Sequence, residues 1–284
     1  MVSRETLVRT FHVKQPYQKV ATEHANINTR IRTALESYRA DPALAAVLTE
    51  PFIRRMEIFA TALAHWGARI NLTARPDDPT ETAFHIADSL IPLTLAAYNR
   101  SPLEKERHPL SPRPHSVVGE GEGEGSDTLQ ALSPLFTANN YILDFGAGAG
   151  FPGLVLASAC PAHFTLVEAR QKRASFLKVV AAEMALDNVE IIATRLTAST
   201  LTARFDAVVA RASGPVADFY DIAAVGLNPG GLAILYANPS QRLDLAAAKR
   251  VGFSGYRRHE YSLRRGSIRV DRVLAVWRAA KKRP

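Results

Sequence analysis

Cysteine is nearly missing from this sequence: Cys160 is the one thiol in 284 residues. That excludes an intrachain disulfide and any zinc site assembled from several thiolates, so no metal is expected. Long apolar runs are missing too. No stretch approaches the roughly 20 residues needed to cross a bilayer, and residues 1–14 mix Arg, Glu and His where a signal peptide would be apolar. The expectation is a soluble, cytoplasmic chain that does not enter membranes. What the sequence has in excess is positive charge, with 35 Lys and Arg against 27 Asp and Glu. The resulting formal charge of +8 favours an anionic partner. Nucleic acid ranks ahead of a membrane surface, because no strongly hydrophobic, basic amphipathic stretch accompanies the charge.

Residues 1–40 read as a polar N-terminal extension, in which Ile27, Ile31, Leu35 and Tyr38 recur at helical spacing and predict a short surface helix. Residues 41–100 read as helical. Asp41 and Pro42 suit an N-cap and first-turn proline, and Phe52, Met56, Phe59, Leu63, Trp66 and Ile70 form one apolar stripe on a long helix. Asp78, Pro79, Thr80 and Glu81 predict another helix start, where a capping carboxylate precedes by three residues a glutamate able to reach back. Phe84, Ala87, Leu90 and Ile91 share one face of that helix. Over residues 101–138 the prolines 102, 109, 112 and 114 lead into alternating glycine and glutamate from Gly119 to Gly125. Too little apolar surface is available there to offset the entropy of ordering, which predicts a disordered insertion.

Residues 139–284 alternate short apolar runs with helical patterns. Strands are predicted at 141–144, 164–168, 189–192, 205–210 and 232–236, with helices at 152–159, 171–185 and 216–227. The strand runs are nearly continuous in Val, Ile, Leu and Phe, as strands covered on both faces should be. This is an α/β pattern, a doubly wound, mostly parallel Rossmann-like sheet; apolar segments around Tyr261 and over 270–277 add an antiparallel edge.

In such a sheet, ligands bind beyond the carboxyl ends of the strands. Gly146, Gly148 and Gly150 follow the first strand and let the backbone turn tightly and approach a ligand closely. Glu168 ends the second, where a carboxylate can accept both ribose hydroxyls of an adenosine. Leu196 and Thr197 follow the third strand and Arg211 the fourth. Two cofactors compete for these residues. Gly148, Gly150 and Gly153 match the dinucleotide fingerprint G-x-G-x-x-G, which would imply an NAD-dependent oxidoreductase. Asp144 ahead of Gly146, Gly148 and Gly150, with Pro152 opening the next helix, favours S-adenosyl-L-methionine instead. The carboxylate can hold the amino-acid part of that donor, directly or through water, whereas it would repel a pyrophosphate.

Five blocks in order resemble a known family: Arg69-Ile70-Asn71-Leu72-Thr73-Ala74; His85-Ile86-Ala87-Asp88-Ser89-Leu90; Asp144 to Gly153; Glu168 with Lys172-Arg173 and Phe176-Leu177; and Ala210-Arg211-Ala212. The family is the bacterial 16S ribosomal RNA guanine-N7 methyltransferases, RsmG or GidB. The resemblance implies an enzyme with a donor site at Gly146, Phe151, Leu196, Thr197 and Arg211, beside a cleft for a guanine of 16S rRNA, guanine 527. The substrate would be 16S rRNA or the small ribosomal subunit, and a monomer is expected. Guanine N7 carries a lone pair and no proton, so no general base is needed. This agrees with the lack of any Ser/His/Asp or Cys/His arrangement. Arg211-Ala212-Ser213-Gly214-Pro215 also replaces the Asn-Pro-Pro-aromatic motif of enzymes that methylate exocyclic amines. Arg211 is expected to position donor or substrate, so Arg211→Ala should harm catalysis more than stability. Asn71, Lys172 and Arg173 are RNA-side candidates, while His85 and Asp88 suit either packing or substrate contact.

Two features depart from the family. Thr197 stands where an acid is usual after the third strand, and Tyr236-Ala237-Asn238 where a lysine and glycine are frequent. They leave open an alternative, a ribosome-assembly or RNA-binding factor with a degenerate donor pocket. One observation concerns the gene. The peptides from Val2 to Thr6 and from Phe11 to Gln15 can both be encoded by the inverted repeat GTTTCACGTGAAAC, read in two frames. That DNA resembles a chromosome-partitioning site, and the hypothesis is that it dictates these residues; codons at the locus that do not spell the repeat would end it.

Overall fold

The computed structural model describes residues 15–98, 132–211 and 214–280. Apart from Gln15, the repeated N-terminal peptides lie outside the described residues, as does most of the expected insertion, residues 99–131. The described end of that insertion is ordered, contrary to expectation. Ser133–Phe136 form a turn of 3-10 helix, and Leu132, Leu135 and Phe136 are buried, because three large apolar side chains in five residues reach the core.

The N-terminal helices are α1 (Gln15–Glu36), α2 (Pro42–Val47), α3 (Glu50–Ile70) and α4 (Pro79–Tyr98). The expectation of a polar extension carrying a surface helix fails for α1. Ile31, Leu35 and Tyr38 are buried in the main core, and Arg32 bonds both Glu50 and Glu57 on α3 at 2.7 and 2.8 Å. A helix with mostly polar composition still docks when one narrow stripe is apolar. The expected long helix is broken in two. Asp41 caps α2 by accepting from the amides of Ala43 and Leu44, and Pro51 opens α3 after the extended residue Thr49. Trp66, placed on the apolar stripe by periodicity, is 40% exposed, since the stripe outruns the core. Asp78 starts α4 as expected, accepting from the amides of Thr80 and Glu81. Glu81 does not reach back; its carboxylate pairs with Arg265 and lies 3.4 Å from His85 Nε2.

The sheet follows: β1 (Tyr141–Phe145), α5 (Gly153–Ala159), β2 (His163–Val167), α6 (Gln171–Glu183), β3 (Val189–Ile192), β4 (Phe205–Arg211), α7 (Val216–Gly226), β5 (Leu227–Ala237), α8 (Leu245–Arg250), β6 (Phe253–Arg265) and β7 (Ile268–Ala279). Seven strands lie in the order β3-β2-β1-β4-β5-β7-β6, and β7 alone runs against the others. This is the expected mostly parallel, doubly wound sheet with an antiparallel edge. Alternate residues feed two core layers: Ile142 and Leu166 pack with α1 and α3–α6, while Leu143 and Val167 pack with α7 and α8. One expectation needs correcting. β3 is an edge strand with Glu190 and Ile192 exposed, so its Val and Ile content does not reflect cover on both faces. The short helix α8, capped by Asp244 on the amide of Ala247, has too few apolar positions to show in the sequence.

Candidate functional site

Strand order reverses between β1 and β4, and a cleft of about 560 Å³ opens there, at the carboxyl ends of the strands. The turn after β1 forms one wall. Gly146, Gly148 and Gly150 have φ of 75°, 57° and 96°, in the left-handed region, and the amides of Gly146 and Ala147 both donate to the Val167 carbonyl at 3.0 Å. A Cβ on Gly148 would meet nothing nearer than the Gly146 carbonyl at 3.8 Å, so its bare α-carbon opens space on the cleft for a ligand.

Glu168, just beyond β2, is 6% exposed and held from two sides. The amide of Gly148 donates to its Oε2 at 3.0 Å and that of Arg170 to its Oε1 at 2.8 Å. Each carboxylate oxygen keeps a lone pair able to accept from a further hydroxyl. Val167 and Leu196 add apolar lining beside it. The set fits an adenosine whose ribose hydroxyls meet a carboxylate and whose ring meets apolar walls.

Asp144 does not line this cleft. It is fully buried, and its Oδ2 accepts from the Gly153 amide at 2.9 Å, capping the start of α5 from inside. Among the described residues its Oδ1 has no hydrogen-bond partner, and burial pushes its pKa up to about 7. The expectation of direct contact with a donor's amino-acid end therefore gives way to a bracing role. The same bond bears on the dinucleotide alternative. A pyrophosphate in that arrangement would take the first amides of the helix, and here the chain's own carboxylate holds one of them. Gly153 itself answers to packing, since a Cβ would lie 2.4 Å from Asp144 Oδ2.

The opposite end of the cleft is ionic. Arg211, the last residue of β4, donates through Nη1 to Asp88 Oδ2 at 3.2 Å and lies 4.9 Å above the ring of Phe151. Asp88, on α4, accepts at Oδ1 from the Tyr261 hydroxyl at 2.7 Å. Tyr236 donates to the Ser89 carbonyl beside it. Phe151 packs between Phe59 and His85. Burial, with Arg211, Arg272 and Arg265 nearby, pushes His85 down to about 3, so its ring is neutral across the ordinary range.

Of the residues expected at the site, Gly146, Gly148, Phe151, Glu168, Leu196, Arg211 and the RNA-side candidate Arg173 line the cleft. Thr197 does not. It is exposed, and its hydroxyl engages Ser199 and Thr200 in a local turn. Asn71 caps α3 in the left-handed conformation, and its carbonyl accepts from Arg173; its side chain is not on the lining, though Leu72 and Thr73 are. Lys172 is exposed outside the lining. Cys160 donates its thiol to the Leu156 carbonyl, and burial pushes it up to about 11, as suits a small core residue. Sequence reasoning missed Thr194, Arg195 and Asp218. Thr194 and Arg195 follow Ile192 almost at once, so the rule that ligands sit just past strand ends applies to them better than to Thr197.

A family described as GidB, rRNA small subunit methyltransferase G, matches residues 126–262. A protein named ribosomal RNA small subunit methyltransferase G from Solibacter usitatus is 37% identical over 115 residues, 40% of this chain and 55% of the relative. One of the same name from Methylobacillus flagellatus is 32% identical over 142 residues, 48% of this chain and 69% of the relative. The matched part thus spans between about half and two thirds of these relatives. Among solved structures, the T. thermophilus 16S rRNA N2 G1207 methyltransferase RsmC aligns with TM-score 0.40 and 23% identity, over 58% of this chain and 44% of its own. On its order of motifs and on these relatives, the chain belongs to the GidB family, the rRNA small subunit methyltransferase G proteins.

Proposed function

We propose that this chain methylates N7 of a guanine in 16S rRNA, guanine 527 by the resemblance of its motifs, with S-adenosyl-L-methionine as donor. The observation that carries the reading is Glu168, fixed by two backbone amides at the rim of a glycine turn whose helix amide is already occupied by Asp144. The donor supplies an electrophilic methyl group on a sulfonium. Glu168 would accept the ribose hydroxyls, Val167 and Leu196 would flank the adenine, and the backbone from Gly146 to Ala149 would receive the amino-acid end. Arg211 would orient the donor carboxylate or the guanine. Guanine N7 brings its own lone pair, so no side chain has to remove a proton, and the rate rests on positioning and electrostatics. Arg170, Arg173 and Arg195 around the cleft, together with the charge of +8, suit a polyanionic substrate. The reading places the chain in the cytoplasm, acting as a monomer on 16S rRNA or the small subunit; no helix among the described residues is long and apolar enough to cross a membrane.

The test incubates the protein with methyl-labelled donor and either naked 16S rRNA or small subunits, then digests the RNA to nucleosides. Label in 7-methylguanosine is the expected result. Label on an exocyclic amine, or none, would sink the proposal. Tight donor binding without turnover on either substrate would favour the assembly-factor alternative.

A further inference from the structure

We propose that Asp88 is a positioning residue for the cleft: together with Tyr261 it clamps the guanidinium of Arg211 over Phe151 and so aims the cation that closes one end of the site. Three distant parts of the chain meet in this clamp, namely α4 through Asp88, the end of β4 through Arg211 and β6 through Tyr261. The Asp88 side chain is 2% exposed, which leaves it no access to a ligand of its own. Its two oxygens face different partners: Oδ2 takes Arg211, while Oδ1 takes the Tyr261 hydroxyl and lies 3.9 Å from Arg272 Nε. Burial and the adjacent Asp88 carboxylate push the Tyr261 phenol well above its usual range, so it remains a donor.

Packing alone does not account for a carboxylate here. Burying a charge is costly, and replacing a whole buried ion pair by apolar residues of similar volume is often neutral or stabilising. What an apolar residue could not do is fix the direction of a guanidinium. Among the described residues, the Arg211 guanidinium makes no hydrogen bond other than the one to Asp88, so that bond and the Phe151 face decide where its remaining N–H groups point. Without them the side chain would sample several rotamers, and a cation displaced by about 1 Å can lose up to a hundredfold in rate.

The ligand that Arg211 touches rests on the function proposed above; the clamp does not. The experiment compares Asp88→Asn, Tyr261→Phe, Arg211→Met and the double variant Asp88→Asn with Arg211→Met. The readouts are melting temperature, affinity for S-adenosylhomocysteine by calorimetry, and kcat and KM on 16S rRNA. Asp88→Asn should lower product affinity or kcat/KM about tenfold, and Tyr261→Phe should do so less. In the Arg211→Met background, Asp88→Asn should cause no further functional loss and should raise the melting temperature, since it removes a buried charge that has lost its nearest cation. Equal fold losses in both backgrounds, or unchanged function in Asp88→Asn and Tyr261→Phe alike, would overturn the proposal. Should Asp88→Asn not fold, Tyr261→Phe with and without Arg211→Met decides the question by the same criterion. A parent protein that neither binds the product nor methylates RNA would count against the proposed function, and recovery of stability in the double variant would still report the clamp.

Discussion

Two buried carboxylates flank the cleft, and the chain treats them in opposite ways. Asp144, under the glycine turn, has among the described residues one backbone amide as its partner and an oxygen with none, and its pKa is pushed up to about 7. Asp88, at the other end, is surrounded by Arg211, Tyr261 and Arg272. The difference shows what each end is built to do. The glycine turn is held by backbone hydrogen bonds and needs only an internal cap, which Asp144 supplies through the Gly153 amide. The Arg211 end must keep a cation in one orientation inside the protein, and only an ionised partner does that.

The largest expected effect separates the two ends. Arg211→Ala leaves the buried Asp88 with only Tyr261 and the more distant Arg272, and breaking a buried pair this way costs about 3 kcal/mol in stability. The structure thereby adds a folding loss to the catalytic loss expected from sequence; denaturant unfolding checks it, and an unchanged midpoint would make the pair energetically idle. Next comes Asp144→Asn, which keeps an acceptor for Gly153 without a charge. The pKa of Asp144 is raised in the folded chain, so its contribution is fullest below pH 3.8 and fades as pH rises through about 7. The variant should therefore gain on the parent by about 3 kcal/mol between pH 4 and pH 8. Urea melts across that range test it, and a flat difference would mean that Asp144 is better solvated than its burial implies. Gly153→Ala pushes a methyl group against Asp144 and Leu166 and should cost about 2 kcal/mol by overpacking. Gly148→Ala makes the contrast, since it has room for the methyl group and meets only the strain of a left-handed φ of 57°, about 1 kcal/mol. It should disturb donor-product binding more than folding, by calorimetry against thermal melts. Smallest of all, Thr197→Ala alters a solvent-facing turn and should change stability by less than about 0.5 kcal/mol and leave product affinity unchanged.

The sheet was legible because buried strands and their spacing are written in local apolar runs: β3 falls at 189–192 as expected, and the other predicted strands are found with longer or shifted ends. The glycine turn and Glu168 were legible for the same reason, since position after a strand fixes position at the cleft. Asp144 was found but its role was misread. Whether a carboxylate at a strand end faces the ligand or the helix behind it depends on the tilt of α5, which no local pattern encodes. Thr197 was misplaced because the residues directly after β3, Thr194, Arg195 and Leu196, already take the rim, and Thr197 turns back on Ser199 and Thr200.

By itself, the sequence determined the order of elements, the parallel sheet with its antiparallel edge, the glycine turn and the basic charge. These follow from periodicity, backbone freedom and composition, which are properties of neighbouring residues. Only the tertiary structure decided that α1 belongs to the core, that Asp144 caps a helix, and that Asp88, Arg211 and Tyr261 form one cluster. Arg211 and Asp88 lie 123 residues apart, and Tyr261 lies 173 from Asp88. Contacts over such separations are set by how helices and strands pack, because burial rewards the whole assembly and not any one segment.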